Sequence, residues 1–86
     1  MKPTRKTVGA TIGERTRARR EFLNVKQAAL ADAVGMTVPK LSELEHGKSK
    51  RGPSGETLSK LASALGLTVA DLLPKSKVQP LTSQNR

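Results

Sequence analysis

The chain has no cysteine, no tryptophan and no tyrosine, and it holds a single phenylalanine, Phe22, and a single histidine, His46. Without cysteine it can form no disulfide, no thiolate metal site and no thiol nucleophile. The lone histidine has no second imidazole or paired carboxylate at metal-ligand spacing. No serine–histidine–aspartate set and no glycine-rich phosphate loop occurs. No catalytic centre, metal or cofactor is therefore expected, and His46 reads as a helix cap or a surface residue. No apolar run approaches the roughly 18 residues of a membrane-spanning helix. The basic start MKPTRKTVG lacks the apolar stretch of a signal peptide, so a cytoplasmic location is the expectation. Acidic residues are scarce too. Seven Asp and Glu face sixteen Lys and Arg, for a net charge of +9 on 86 residues. In one small domain that imbalance predicts a polyanionic partner. Nucleic acid fits better than a membrane surface, because no segment pairs a Lys/Arg face with a Trp/Phe/Leu face. With so little aromatic content, the core has to be built from Leu, Val, Ile and Ala, and such a domain is stabilised modestly.

What is present centres on Gln27 to Gly47, QAALADAVGMTVPKLSELEHG. Leu30, Ala31 and Val34 make one apolar face of a helix over about 27–34. Gly35 follows where a helix end favours left-handed backbone. Thr37 is placed to cap a second helix, over about 38–46, with Pro39 in its first turn. That helix turns Leu41 and Leu44 inward, and Gly47 is placed to stop it. Two helices joined by so short a turn cross steeply, as in a helix-turn-helix.

The remaining chain supplies three more helices. Thr11 and Glu14 fit a capping box for helix 1, which runs to about Leu23 with Ile12, Thr16 and Leu23 on one side and Phe22 beside them. Lys26 stands at the N-cap position of helix 2, where its side chain cannot accept a hydrogen bond and its charge opposes the helix dipole. Ser54 caps helix 4, whose stripe Leu58, Leu61, Ala62 and Leu65 ends at Gly66. Thr68 and Asp71 form a second capping box, opening a short helix 5 that Pro74 stops. Domain limits follow: a flexible basic arm over 1–10, a folded domain over 11–74, and a disordered polar tail over 75–86.

The residues Gln27, Leu30, Ala31, Gly35, Leu41, Ser42, Leu44, Glu45 and Gly47 resemble the helix-turn-helix of the phage repressor and Cro-like family, also called XRE. The likeness extends to Ile12–Arg20 and Pro53–Leu73. It implies an all-α, compact, five-helix, lambda-repressor-like domain that binds DNA. It further implies a bacterial or phage-encoded transcriptional regulator, a repressor acting on a double-stranded operator as a homodimer. An antitoxin that binds a toxin protein and represses its own operon is the alternative, with the tail around Leu81 as the toxin-binding segment.

In this family the exposed N-terminal end of helix 3 enters the major groove. The base contacts are therefore expected from Val38, Pro39, Lys40, Ser42 and Glu43. Apolar Val38 and Pro39 suit thymine methyl groups, Glu43 a cytosine amino group, and Lys40 a guanine or a phosphate. Phosphate contacts are expected from Gln27, which in the family also braces helix 3, from Thr37, and from Arg17, Arg20, Lys48, Lys50 and Arg51. The resemblance also implies an ion pair between Arg15 and Glu45. Helix 5 carries more apolar surface than one small domain needs, so Leu67, Val69, Leu72 and Leu73 are the expected dimer edge, some of them filling the core against Leu61 and Leu65 and Val69 and Leu73 staying the more exposed.

Overall fold

Helix α1 (Val8–Phe22) lies so close to its neighbours that two of its positions admit only glycine. A Cβ on Gly13 would overlap the Leu44 carbonyl, and one on Gly9 would overlap the Ser49 carbonyl. The Gly9 N–H donates to the Lys50 carbonyl at 2.8 Å, fastening the start of α1 to the loop over 48–52. The helix accordingly begins one turn earlier than the Thr11–Glu14 pattern indicates. Its N-cap is Thr7, whose hydroxyl accepts from the Ala10 N–H at 3.0 Å, and Thr11 is buried inside the helix. The computed structural model describes residues 7–74. Lys2, Arg5 and Lys6 of the expected arm, and the expected tail with Leu81, lie outside the described residues.

Helices α2 (Gln27–Val34) and α3 (Val38–Glu45) follow the turn chemistry of their sequence. Gly35 sits at φ 73°, a conformation that costs a side-chain-bearing residue energy. The Gly35 N–H donates to Asp32 and the Met36 N–H to Ala31, which satisfies carbonyls left open at the helix end. Thr37 then caps α3 by accepting from the Lys40 N–H at 3.2 Å, with Pro39 in the first turn. Lys26 gives α2 no side-chain cap, as its chemistry requires. Helix α4 (Gly55–Leu65) is capped by Ser54, and the short α5 (Val69–Leu72) by the reciprocal Thr68–Asp71 box. The Thr68 N–H and hydroxyl, donating to Asp71, hold its carboxyl below the usual carboxylate range.

The core is aliphatic throughout. Leu58, Leu61, Ala62 and Leu65 of α4 form its centre, with Leu30, Ala31 and Val34 of α2, Leu41 and Leu44 of α3, Leu72 of α5 and Ile12 of α1 packed around them. The result is the all-α, five-helix, lambda-repressor-like arrangement that the resemblance implies. Among the described residues, no helix is long and apolar enough to cross a membrane.

Helix α1 gives this core only one large apolar side chain. Phe22 and Leu23, expected beside Ile12 and Thr16, are 74 % and 38 % exposed. The helix is held instead by arginine hydrogen bonds to other elements. Arg15 Nη1 donates to the Asp71 and Leu73 carbonyls at 3.2 and 2.7 Å, and Arg19 Nε to the Leu65 carbonyl at 3.0 Å. Each closes off the C-terminal end of a helix, where free carbonyls and the dipole favour a cation. Thr16, between them in sequence, is wholly buried and its hydroxyl has no hydrogen-bond partner among the described residues. Thr16→Val, which keeps the shape and removes the unpaired hydroxyl, is expected to stabilise the fold by about 1 kcal/mol. For a domain of this size that is a rise of about 4–8 °C in Tm, measurable by calorimetry. A loss of stability would mean that the hydroxyl has a partner.

Candidate nucleic-acid interface

The exposed end of α3 is held by buried electrostatics at its other end. Glu45, in the last turn, has a side chain only 1 % exposed. Arg20 of α1 grips it with two nitrogens, Nε to Oε2 at 2.7 Å and Nη2 to Oε1 at 3.0 Å. Gln27, at the start of α2, donates from Nε2 to the same Oε1 at 3.0 Å. The hydrogen bond to Glu45 is the main reason that the Arg20 guanidinium holds its proton more tightly than usual. One carboxylate of α3 thus ties together α1, α2 and α3.

This corrects two expectations. The partner of Glu45 is Arg20, not Arg15. The two arginines are five positions apart in the helix, which places them about 140° apart around α1. The Arg20 flank meets α3 and the connection that leads into α2, whereas the Arg15 flank meets α5. Arg20 is also unsuited to a phosphate contact. Its third donor, Nη1, is taken by the Val25 carbonyl at 2.8 Å, and its side chain is only 11 % exposed. A third correction concerns the dimer edge: Leu72 is fully buried in the core. Leu67, Val69 and Leu73 are half-buried and pack against that core while keeping part of their surface outside.

The other expected residues fall as follows. Val38, Pro39, Lys40 and Glu43 are exposed on α3 and Ser42 is half-buried. Thr37 is exposed and its hydroxyl caps α3. Lys40 and Glu43 share a shallow groove with Met36, Ser49, Pro53 and Ser54. The outer edge of α3 and the basic loop are therefore neighbours. That loop is fixed at both ends of its turn, by Gly9 to the Lys50 carbonyl and by the Gly52 N–H to Ser49 Oγ at 3.1 Å. Lys48, Lys50 and Arg51 project from it, exposed. Arg17 is exposed too and pairs with Glu21 at 3.1 Å. His46 is the C-cap of α3, with Nδ1 2.7 Å from the Ser42 carbonyl oxygen.

Gly9 and Gly13 escaped the sequence reading, although their spacing of four places both on one helix face and was the available signal. The capping roles of Arg15 and Arg19 were missed as well. Nothing in the local sequence distinguishes one arginine of RTRARR from another.

Comparison with known proteins agrees with this geometry. The helix-turn-helix family model matches residues 17–72. The chain is 45 % identical over 60 residues to the HTH-type transcriptional regulator DdrOP3 of Deinococcus deserti, covering 70 % of this chain and 45 % of that protein. It is 44 % identical over 54 residues to repressor protein C2 of Salmonella phage P22, covering 63 % of this chain and 24 % of that one. The chain thus spans less than half the length of these relatives. Among solved structures, the clp gene regulator ClgR of Corynebacterium glutamicum superposes with a TM-score of 0.73 at 32 % identity, over 80 % of this chain and 71 % of that one. Hydroxypropylphosphonic acid epoxidase from S. wedmorenis also matches, with a TM-score of 0.72 at 28 % identity, over 81 % of this chain but only 36 % of the enzyme. With the match running from the second half of α1 through α5, the chain belongs to the XRE/Cro-type family of helix-turn-helix DNA-binding domains.

Proposed function

We propose that the chain is a sequence-specific DNA-binding transcriptional regulator, a repressor, that places α3 in the major groove of an operator and binds as a homodimer. The observation that carries this reading is the α3 edge beside the basic loop. Val38, Pro39, Lys40 and Glu43 are exposed together while Leu41, Leu44 and Glu45 of the same helix are buried. Apolar and ionic groups side by side can read a thymine methyl, a guanine edge and a cytosine amino group. Lys48, Lys50 and Arg51 supply phosphate contacts that set the register without reading sequence. Gln27, braced on Glu45, offers its backbone N–H at the start of α2 to another phosphate. Repressor protein C2 and DdrOP3 carry the same type of domain, which supports the regulatory role.

The number of engaged cations is testable through salt. Arg15, Arg19 and Arg20 are occupied within the fold and Lys40 faces the bases, so Lys48, Lys50 and Arg51 are the main phosphate-neutralising groups of the described residues. Three such contacts in each of the two copies, six in all, give a log–log slope near −5.4 and an affinity loss of about a thousandfold between 50 and 200 mM salt. Fluorescence anisotropy of labelled duplex across a salt series measures it. A flat titration would contradict the basic-loop contacts.

A further inference from the structure

The one aromatic side chain of this protein stands outside its core. Phe22 is 74 % exposed at the end of α1, with Leu23 next to it at 38 %. The ring is not loose. The Arg19 guanidinium lies over it, 5.3 Å from the centroid, a cation–π distance. The same guanidinium is anchored through Nε to the Leu65 carbonyl at the end of α4. Arg19 therefore bridges the ring to the corner between α4 and α5, where Leu67 and Val69 begin the edge proposed for the dimer. That edge is short of apolar surface, since Leu72 is wholly internal and Leu67, Val69 and Leu73 are half-covered by their own core. A stable protein pair needs about 800 Å² from each partner. An aromatic side chain adds about 150–250 Å², and Phe22 lies where it would extend this edge.

We propose that Phe22 anchors the contact with a second copy of this chain, with Leu23 beside it, as a continuation of the Leu67, Val69 and Leu73 edge. The proposal rests on the homodimer reading and names the side chain that makes it work. In a two-fold pair the same patch serves both copies. A ring already held by Arg19 loses little freedom on docking, which favours association. Buried aromatic anchors surrounded by lesser contacts are where pair-forming energy concentrates.

The test exploits the single phenylalanine. Fluorine-labelled phenylalanine in the full chain gives one ¹⁹F resonance. It is followed through a dilution series, on an operator selected from random DNA, and on an isolated half-site. Sedimentation of wild type, Phe22→Ser and Val69→Glu runs in parallel. The expected result is a resonance that moves with the dimer fraction, and a Phe22→Ser variant that pairs about thirtyfold more weakly, the loss typical of an interface anchor. Its half-site affinity stays at the wild-type value, and its melting temperature falls by only a few degrees, since the ring is not part of the core and loses just the exposed contact with Arg19. If wild type is monomeric both free and on the operator, the homodimer reading fails and this proposal with it. If wild type pairs but Phe22→Ser pairs equally and the resonance stays still, only the Phe22 anchor is overturned. Movement on half-site DNA, where one copy is bound, would assign the ring to DNA and also overturn the anchor.

Discussion

Glu45→Ala is expected to cost about 3–5 kcal/mol of folding stability, because it leaves a buried charge without its partner. Arg20 would keep a guanidinium only 11 % exposed, with two of its nitrogens facing an empty site. Gln27 would lose the acceptor that joins α2 to α3. Against a total of roughly 5–15 kcal/mol for an ordinary domain, this variant is near the limit of folding at 37 °C. Urea denaturation followed by circular dichroism measures the change. The control is the double replacement Arg20→Met with Glu45→Met, which removes both charges and is expected to recover most of the loss, as buried pairs replaced by apolar residues often do. A Glu45→Ala protein within about 0.5 kcal/mol of wild type, the range of ordinary surface changes, would show that the pair does not hold α3 in place.

Gly13→Ala is expected to be almost as damaging for a different physical reason. The added carbon would sit on the Leu44 carbonyl, a backbone atom that cannot swing aside as a side chain does. Helix α1 or the end of α3 has to move, at a cost of about 3 kcal/mol or more, the upper end of the range for overpacking. The displacement would also strain the Glu45 network one residue further on. Helix propensity predicts the opposite sign, since alanine is favoured over glycine by about 1 kcal/mol inside a helix. The measured sign therefore decides between close packing and local propensity. Gly55→Ala is the control, because among the described residues nothing lies within 4 Å of a Cβ placed there.

Much of the domain was legible because its signals are local. Gly35, Thr37 and Pro39 carry the α2–α3 turn within a few residues, and each adopts the conformation that its chemistry favours. The α4 stripe and the Thr68–Asp71 box are equally self-contained. The start of α1 was not legible, because Thr7 and Thr11 are both competent caps. The close seat of Gly9 on the 48–52 loop, a contact some forty residues away in sequence, is what selects Thr7. The partner of Glu45 was misread for a related reason. Arg15, Arg17, Arg19 and Arg20 look alike in sequence, and the rotation of α1 against the other helices sorts them into helix caps, a surface pair and a buried ion pair. Phe22 defeats the rule that the sole aromatic belongs inside: it is the last residue of α1 and stands 74 % exposed. The exposed side of α3, by contrast, could be read directly, because burial of Leu41 and Leu44 fixes which residues face out.

In the proposed binding mode α3 reads sequence while the neighbouring loop only holds the backbone. The direct test is selection of bound duplexes from a random pool at fixed salt, for wild type, Lys40→Ala, Glu43→Ala, Lys48→Ala and Lys50→Ala. The two α3 variants are expected to change which bases are preferred, each relaxing discrimination at one position by about 1–3 kcal/mol. The two loop variants are expected to keep the wild-type preference and bind every sequence more weakly. Loop variants that altered the preferred sequence, with α3 variants that left it intact, would contradict this division between α3 and the loop.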